Sequence, residues 1–148
     1  APRHRHHAKH RGTLHDAAMA LGADGVQVGS RFAASLESSG HDNFKQCVLH
    51  AGEGATKLAM KKVIPVRLIK NQFYKEVQNA ENAGASHEEL KDLLGKGRAK
   101  RGMFEGDLEQ GELEIGQVSA QIDQILSVKD IISTMVDEFN SLYSGICL

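Results

Sequence analysis

The sequence contains no tryptophan and only two cysteines. Aromatic residues are also few and make up 5% of its 148 residues. Cys47 and Cys147 lie far apart in the sequence and lack the spacing of metal ligands, so a reduced cytoplasmic setting is expected. The scarcity of aromatic side chains argues against a surface on which nucleic-acid bases stack. A formal net charge of −1 at pH 7 provides no general attraction to nucleic acid or to an anionic membrane.

Long apolar runs are also absent: none approaches the length of a membrane-spanning helix, and no cleavable signal segment is visible. A chain of 148 residues is long enough for one domain with a substantial core. We therefore predict a cytoplasmic protein that binds neither nucleic acid nor a membrane.

The first twelve residues differ from the rest of the chain, because they are strongly basic and show no apolar periodicity. Four histidines stand among the basic residues there: His4, His6, His7 and His10. Closely spaced imidazoles could bind a metal, but no cysteine or carboxylate in this stretch completes a coordination shell. Two other interpretations are favoured: a disordered basic arm, or a stretch that a frame error or an unnatural junction has joined to the protein. We therefore place an irregular arm at residues 1–12 and a folded portion at residues 13–148, and assign no metal ligands.

A segment with strand character ends in Gly29 and Ser30. A small-residue helix that starts near Thr13 should end at Gly22, because glycine readily takes the left-handed conformation that terminates helices. Alternation over residues 25–28 then predicts a brief buried strand, and this order of elements predicts an α/β fold with a parallel sheet. Exposed N–H groups and the Ser30 hydroxyl could hold an anion at the strand end. On the pattern alone, an ordinary strand-to-helix turn is favoured.

The remaining chain is dominated by helical patterns, which predict a helix that Ser35 or Ser38 opens and five further helices, at residues 71–83, 85–94, 98–104, 117–126 and 128–142. Ser86 and Glu89 predict a capping box. Residues 56–60 and 63–69 predict a hairpin, with Pro65 marking an edge or irregular strand. The expected core comprises Leu21, Val26, Val28, Phe32, Val48, Leu94, Ile122, Ile125, Ile132 and Phe139. Because one buried parallel strand cannot form a sheet, we expect the chain to be part of a larger protein or to pair with strands of another chain.

Four segments stand in a distinctive order and spacing: ALGADGVQVGSRF, ESSGHDNFK, PVRLIKN and MFEGDLEQGELEIGQ. Together they resemble the C-terminal half of the nitronate monooxygenase family, formerly called 2-nitropropane dioxygenase, which includes flavin-dependent enoyl-ACP reductases. The resemblance extends from about residue 11 to residue 139. It implies an α/β fold class: the C-terminal part of a (β/α)8 TIM barrel with appended helices, helix-rich in this fragment. Such a barrel would hold FMN at the C-terminal ends of its strands.

The resemblance implies roles for two groups of residues. The family's strand-eight signature is matched by Gln27, Val28, Gly29 and Ser30. These residues would hold the FMN phosphate, which reverses the preference for an ordinary turn. A second motif is matched by Gly116 and Gln117, which would lie, together with Ser119, on the substrate side of the flavin.

Four further polar residues match the family. His41 matches a position of the reductase-like branch, and a surface helix histidine is the equally weighted alternative. Asn71, Glu105 and Asp107 match as well, and turn bonding or capping is their expected role.

The sequence also departs from the family. RHRHHAKH stands where the family has a second phosphate-binding Gly-Gly motif, and the first six strands of the barrel have no counterpart. None of the eight histidines matches the family's catalytic histidine. We therefore assign no catalytic residue in this chain.

Two main hypotheses follow. In the first, the chain is part of an FMN-dependent oxidoreductase whose flavin performs the redox chemistry on a nitronate or, with NAD(P)H as co-substrate, on an enoyl thioester. Its expected partners are a small-molecule or acyl thioester substrate and either further copies of the chain or the missing N-terminal half of the barrel. In the second, the chain is an inactive, flavin-free helical fragment that self-associates through an unpaired strand and exposed apolar faces.

Overall fold

The structure, a computed structural model, describes Ala18, Met19 and residues 21–145. The chain divides into two compact units, of which the larger is Gly29–Leu126 and the other combines Ala1–Val28 with Ser127–Leu148. The predicted arm at residues 1–12 and the predicted helix start at Thr13 lie outside the described residues. The division into an arm and a folded portion therefore stays a prediction.

Helices dominate the described chain, as the sequence predicted. In chain order the elements are helix α1 (Ser30–Ala33), helix α2 (Asp42–His50), strands β1 (Thr56–Ala59) and β2 (Val66–Ile69), helices α3 (Gln72–Asn82) and α4 (His87–Leu94), a π-helical turn (Lys100–Phe104), a 3-10 helix (Gln117–Gln121) and helix α5 (Val128–Gly145). The predicted basic helix at residues 98–104 is thus mainly a π-helical turn, and the one predicted at residues 117–126 is a 3-10 helix that ends at Gln121.

The helix stop predicted at Gly22 is confirmed. The N–H of Gly22 donates to the Met19 carbonyl at 2.9 Å, and the N–H of Ala23 donates to the Ala18 carbonyl at 3.0 Å. This pair of hydrogen bonds is the Schellman motif. Gly22 adopts a φ of +93°, which costs glycine little because it has no Cβ.

The strand predicted at residues 25–28 is absent, and the prediction was wrong. A strand needs a neighbour for its backbone N–H and C=O groups, but the two strands of the described chain pair with each other. Without a sheet to cover, Val26 of the supposed strand is 48% exposed. Leu21 and Ile132 lie outside this segment and are 89% and 48% exposed, so the assignment of these three residues to the core was wrong.

β1 and β2 form an antiparallel hairpin, as predicted, in which Thr56 pairs with Ile69. The sheet has two strands, and Pro65 lies just before the second, so β2 begins at Val66 and keeps every N–H donor. On the side away from β1, the N–H of Ile69 donates to the Leu113 carbonyl at 2.9 Å, and the N–H of Ile115 donates to the Arg67 carbonyl at 3.1 Å. β2 therefore lies between β1 and residues 113–115.

Side-chain caps fix where the helices start. The predicted capping box is present: the Glu89 N–H donates to Ser86 Oγ at 3.2 Å, and the Ser86 N–H donates to the Glu89 carboxylate at 2.8 Å. The cap of α2 is His41, so the prediction of Ser35 or Ser38 was wrong. Each of these serines is engaged in a local turn instead, Ser35 with the Phe32 carbonyl and Ser38 with the Gly40 N–H.

The larger unit contains two apolar clusters on the two faces of β2. Because successive side chains of a strand point to opposite faces, Ile69 enters one cluster and Leu68 the other. The first cluster comprises Ala34, Phe44, Val48, Ala51, Ile69, Leu113, Ile115 and Ile122. The second comprises Ala59, Met60, Leu68, Phe73, Tyr74, Val77 and Leu90. Val48 and Ile122 were correctly predicted to be buried.

The backbones of Gly102, in the π-helical turn, and Gly111 are in direct contact. A Cβ added at Gly111 would collide with the Gly102 Cα and with the Asp107 carbonyl, and one added at Gly102 would lie 2.5 Å from the Glu112 carbonyl oxygen. Since backbone atoms cannot rotate away, only glycine fits at either position.

Arg98 connects several segments of the same region. It donates to the Leu93, Leu94 and Gln110 carbonyls, and its guanidinium carbon lies 4.4 Å from the centroid of the Phe73 ring.

Gly111→Ala should destabilise the chain by about 3 kcal/mol or more, because the added methyl group would force two backbone segments apart. Gly52→Ala is the matched control: a Cβ there meets nothing within 4 Å, so a change within about 0.5 kcal/mol is expected. Urea unfolding followed by circular dichroism measures both. Equal effects of the two substitutions would show that the Gly102–Gly111 contact is not a constraint.

Candidate functional site

The turn predicted to hold an anion forms the start of α1 in the larger unit. Gly29 is the N-cap of α1, with a φ of −108°, and its carbonyl accepts from the N–H groups of Phe32 and Ala33, both at 3.0 Å. Within the described residues, the N–H groups of Gly29 and Ser30 have no hydrogen-bond partner. A Cβ added at Gly29 would meet no atom within 4 Å. Neither backbone conformation nor packing therefore requires glycine here, and the space beside the turn is open.

The structure joins Ser30 directly to Gly116, a residue 86 positions later. The Gly116 N–H donates to Ser30 Oγ at 3.0 Å, and a Cβ added at Gly116 would lie only 2.7 Å from the same oxygen. Gly116 is the N-cap of the 3-10 helix. Two residues that the sequence assigned to different sides of a flavin, Ser30 to the phosphate and Gly116 to the substrate, thus lie in contact.

Two further hydrogen bonds hold the neighbourhood of α1 against the chain that follows the 3-10 helix. Arg31 Nη1 donates to the Gln124 carbonyl at 3.0 Å, so the Arg31 side chain is engaged with the protein. The Leu36 N–H donates to the Leu126 carbonyl, also at 3.0 Å. Together with the Ser30–Gly116 bond, these contacts fix the turn within the larger unit.

The other residues assigned to the site are placed as follows. Gln27 is exposed and Val28 is partly exposed, and both belong to the smaller unit. Gln117 is exposed at the start of the 3-10 helix. Ser119 is only 1% exposed, and within the described chain its hydroxyl has no hydrogen-bond partner. Of the assigned residues, the structure therefore brings together Ser30 and Gly116 with their immediate chain neighbours.

His41 has a structural role at the start of α2. Its Nδ1 accepts from the Asn43 N–H at 3.1 Å, and its backbone N–H donates to the Met103 carbonyl at 2.8 Å. A Cβ added at Gly106 would collide with the imidazole ring. The histidine is thus a helix cap packed on a glycine, which agrees with the structural alternative.

Asn71 and Asp107 have the capping and turn-bonding roles that were expected, whereas the Glu105 side chain does not. Asn71 Oδ1 accepts from the Tyr74 N–H at 2.9 Å and caps α3, while its Nδ2 donates to the carbonyls of Leu108 and Gly111 at 3.0 and 2.8 Å. Glu105 forms an exposed ion pair with Lys100.

Asp107 closes the turn that follows the π-helical segment. Its carboxylate accepts from the N–H groups of Gln110 and Glu109 at 2.9 and 3.0 Å and pairs with Arg101 at 2.6 Å. The hydrogen bond from the Gln110 backbone is the main cause that lowers the pKa of Asp107, because it stabilises the charged form.

A buried carboxyl group in the same region was missed by the sequence reasoning. Glu112 is 5% exposed, and its N–H donates to the Arg98 carbonyl at 3.1 Å. Burial and, to a smaller extent, the nearby Glu114 raise the pKa of Glu112, Arg98 opposes both effects, and the resulting pKa is about 7. In the sequence, Glu112 and Glu114 alternate with apolar residues, a pattern that predicts exposure of the acids. The burial follows instead from the contact between Gly102 and the backbone at Glu112.

No helix in residues 18–19 and 21–145 combines the length and the apolar character that crossing a membrane requires.

Comparisons with known proteins match this architecture. A family model described as nitronate monooxygenase matches residues 9–138. A probable nitronate monooxygenase of Bacillus subtilis (strain 168) is 31% identical over 130 residues, which are 87% of this chain and 37% of that protein. The structure of FabK from Thermotoga maritima matches with a TM-score of 0.83 and 34% identity, over 91% of this chain and 43% of that one. Nitroalkane oxidase from Streptomyces ansochromogenes matches with a TM-score of 0.69 and 23% identity, over 93% of this chain and 39% of that one, a likeness in fold alone.

The solved structures that match are TIM-barrel proteins, and the chain corresponds to part of such a barrel, as the sequence predicted. The chain belongs to the nitronate monooxygenase family. It spans well under half the length of each of these relatives.

Glu112→Gln should stabilise the chain more at pH 8 than at pH 5. Because the pKa of Glu112 rises from 4.5 to about 7 on folding, the folded state binds more protons than the unfolded state between these values, and stability falls as pH rises through this window. The substitution removes this cost, so its benefit should be about 1–2 kcal/mol larger at pH 8.

Urea unfolding at the two pH values measures this difference, with the exposed Glu109→Gln as the matched control. A benefit of Glu112→Gln that does not change with pH would contradict the raised pKa.

Proposed function

We propose that the chain contributes the phosphate-binding turn and part of the substrate side of an FMN-dependent oxidoreductase of the nitronate monooxygenase or enoyl-ACP reductase type. The observation that carries this proposal is the open turn at Gly29 and Ser30, which lies in contact with Gly116. Two N–H groups that are unpaired within the described residues, a hydroxyl group and free space beside a glycine fit a phosphate oxygen, because phosphate is bound by converging donors where no side chain intervenes.

The residues present fit FMN in the following way. Gly29 and Ser30 would donate to its phosphate, with Gln27 and Val28 in the chain leading into the turn, and Gly116 would border the substrate side together with Gln117. When bound, the flavin supplies the redox chemistry, and the protein supplies placement and electrostatics. In this chain, placement comes from the hydrogen bonds that hold α1 and the 3-10 helix together.

Two substrate classes fit the family. The two reported relatives that are more than 30% identical are named nitronate monooxygenase and FabK, and the family that the sequence resembles includes flavin-dependent enoyl-ACP reductases. The proposed substrate is accordingly a nitronate or an enoyl thioester, with NAD(P)H as co-substrate in the second case. A cytoplasmic setting, and completion of the barrel by further sequence or by a second copy, are parts of the same proposal.

An inactive, flavin-free fragment that self-associates is the second candidate. It is favoured by large apolar side chains at the surface of the larger unit: Leu36 and Ile64 are each 63% exposed. Exposed apolar surface favours association when it is contiguous. This candidate predicts a colourless protein that elutes from gel filtration above the monomer mass, whereas the flavoprotein proposal predicts a yellow one.

The purified chain mixed with FMN should retain a flavin absorbance band through gel filtration, and Gly29→Val should lower the affinity for FMN at least tenfold, about 1.4 kcal/mol. The valine side chain would fill the space beside the N–H groups, but it would meet no protein atom at its Cβ, so the unfolding midpoint should stay unchanged.

Gly52→Val is the matched control, because a Cβ at Gly52 also meets nothing within 4 Å. Unchanged flavin retention in Gly29→Val would refute the assignment of this turn to the phosphate. Absence of retained flavin in the unsubstituted chain, together with a high apparent mass, would favour the self-associating fragment.

A further inference from the structure

We propose that Ser30 is a positioning residue, whose hydroxyl couples the turn at Gly29 to the 3-10 helix that starts after Gly116. A serine hydroxyl can accept and donate at the same time. Ser30 Oγ accepts from the Gly116 N–H at 3.0 Å, and within the described residues its own proton has no acceptor. The same oxygen can therefore hold Gly116 while its proton is donated to an anion at the turn.

The contact between the two residues depends on the serine oxygen alone. Gly116 has φ −69° and ψ 159°, an extended conformation that any residue adopts, so its backbone does not demand glycine. A Cβ added at Gly116 would lie 2.7 Å from Ser30 Oγ, but 3.9 Å from Ser30 Cβ. Glycine at position 116 is thus required by the hydroxyl of Ser30, and the substitution Ser30→Ala would remove the requirement.

The first turn of the 3-10 helix is built on Gly116. The Ser119 N–H donates to the Gly116 carbonyl at 3.0 Å, and the exposed Gln117 lies between these two residues. Hydrogen bonds in series polarise and strengthen one another. An anion that accepts from the Ser30 hydroxyl should therefore strengthen the bond from Gly116 and restrict the position of Gln117. This last step rests on the proposed function, whereas the link between Ser30 and Gly116 does not.

The link is tested without any ligand by a double-mutant cycle of Ser30→Ala and Gly116→Ala. In the unsubstituted chain, Gly116→Ala should lower Tm by several degrees and should raise the exchange rate of the residue-116 amide at least tenfold. In a chain that already carries Ser30→Ala, Gly116→Ala should cause no further fall in Tm. Equal falls in the two backgrounds would overturn the link, because the cost of the methyl group would then not depend on the hydroxyl. The amide of Ile69, which donates to the Leu113 carbonyl, provides the control for a general loosening of the fold.

The coupling is tested by hydrogen exchange with and without FMN. FMN should slow exchange of the Gly116 and Ser119 amides at least tenfold in the unsubstituted chain and in Ser30→Thr, which keeps a hydroxyl, and should leave both unchanged in Ser30→Ala. Binding of FMN to the unsubstituted chain without slower exchange at these amides would overturn the coupling and leave the proposed function standing. No binding of FMN would overturn the proposed function and the coupling, while the double-mutant cycle still decides the link between Ser30 and Gly116.

Discussion

The position of Gly111 is the constraint on which the candidate site depends. Its backbone lies against Gly102, where no Cβ fits, and Asn71 holds its carbonyl at 2.8 Å. From this fixed point the chain runs along β2, where Leu113 and Ile115 hydrogen-bond to the strand. The next residue is Gly116, whose N–H reaches Ser30. A displaced Gly111 would change the pairing along β2 and would carry Gly116 away from the turn.

Structural features that depend only on residues close together in the sequence could be predicted from the sequence. The capping box at Ser86, the cap at Asn71 and the helix stop at Gly22 each need only a few consecutive residues, because the groups that they satisfy lie within one helical turn. The hairpin of β1 and β2 is also local. The supposed strand at residues 25–28 shows the limit of such reasoning. Its alternation is typical of a strand, but a strand exists only where a partner is present, and the partner is not encoded in the segment itself.

The candidate site was predictable only in part, for a related reason. The resemblance assigned Ser30 and Gly116 to a cofactor and a substrate, but nothing in their spacing shows that they touch across 86 positions. The burial of Glu112 was equally hidden, because it results from the approach of a distant glycine to its backbone. In both cases the decisive fact is a close contact between remote segments, which residue types and periodicity do not express.

Among the polar residues that match the family, unused hydrogen-bonding groups distinguish those that we propose to bind a ligand from those with structural roles. Asn71 and Asp107 use their side chains to satisfy backbone groups, and His41 caps a helix with its Nδ1. The atom that makes such a bond cannot offer the same lone pair or proton to a ligand without breaking a bond that stabilises the fold. Within the described chain, Gly29 and Ser30 retain unpaired N–H donors, and Ser30 retains its hydroxyl proton as well. An anion at this turn would therefore cost the fold none of its own contacts, which is why we propose that the function of this chain lies there.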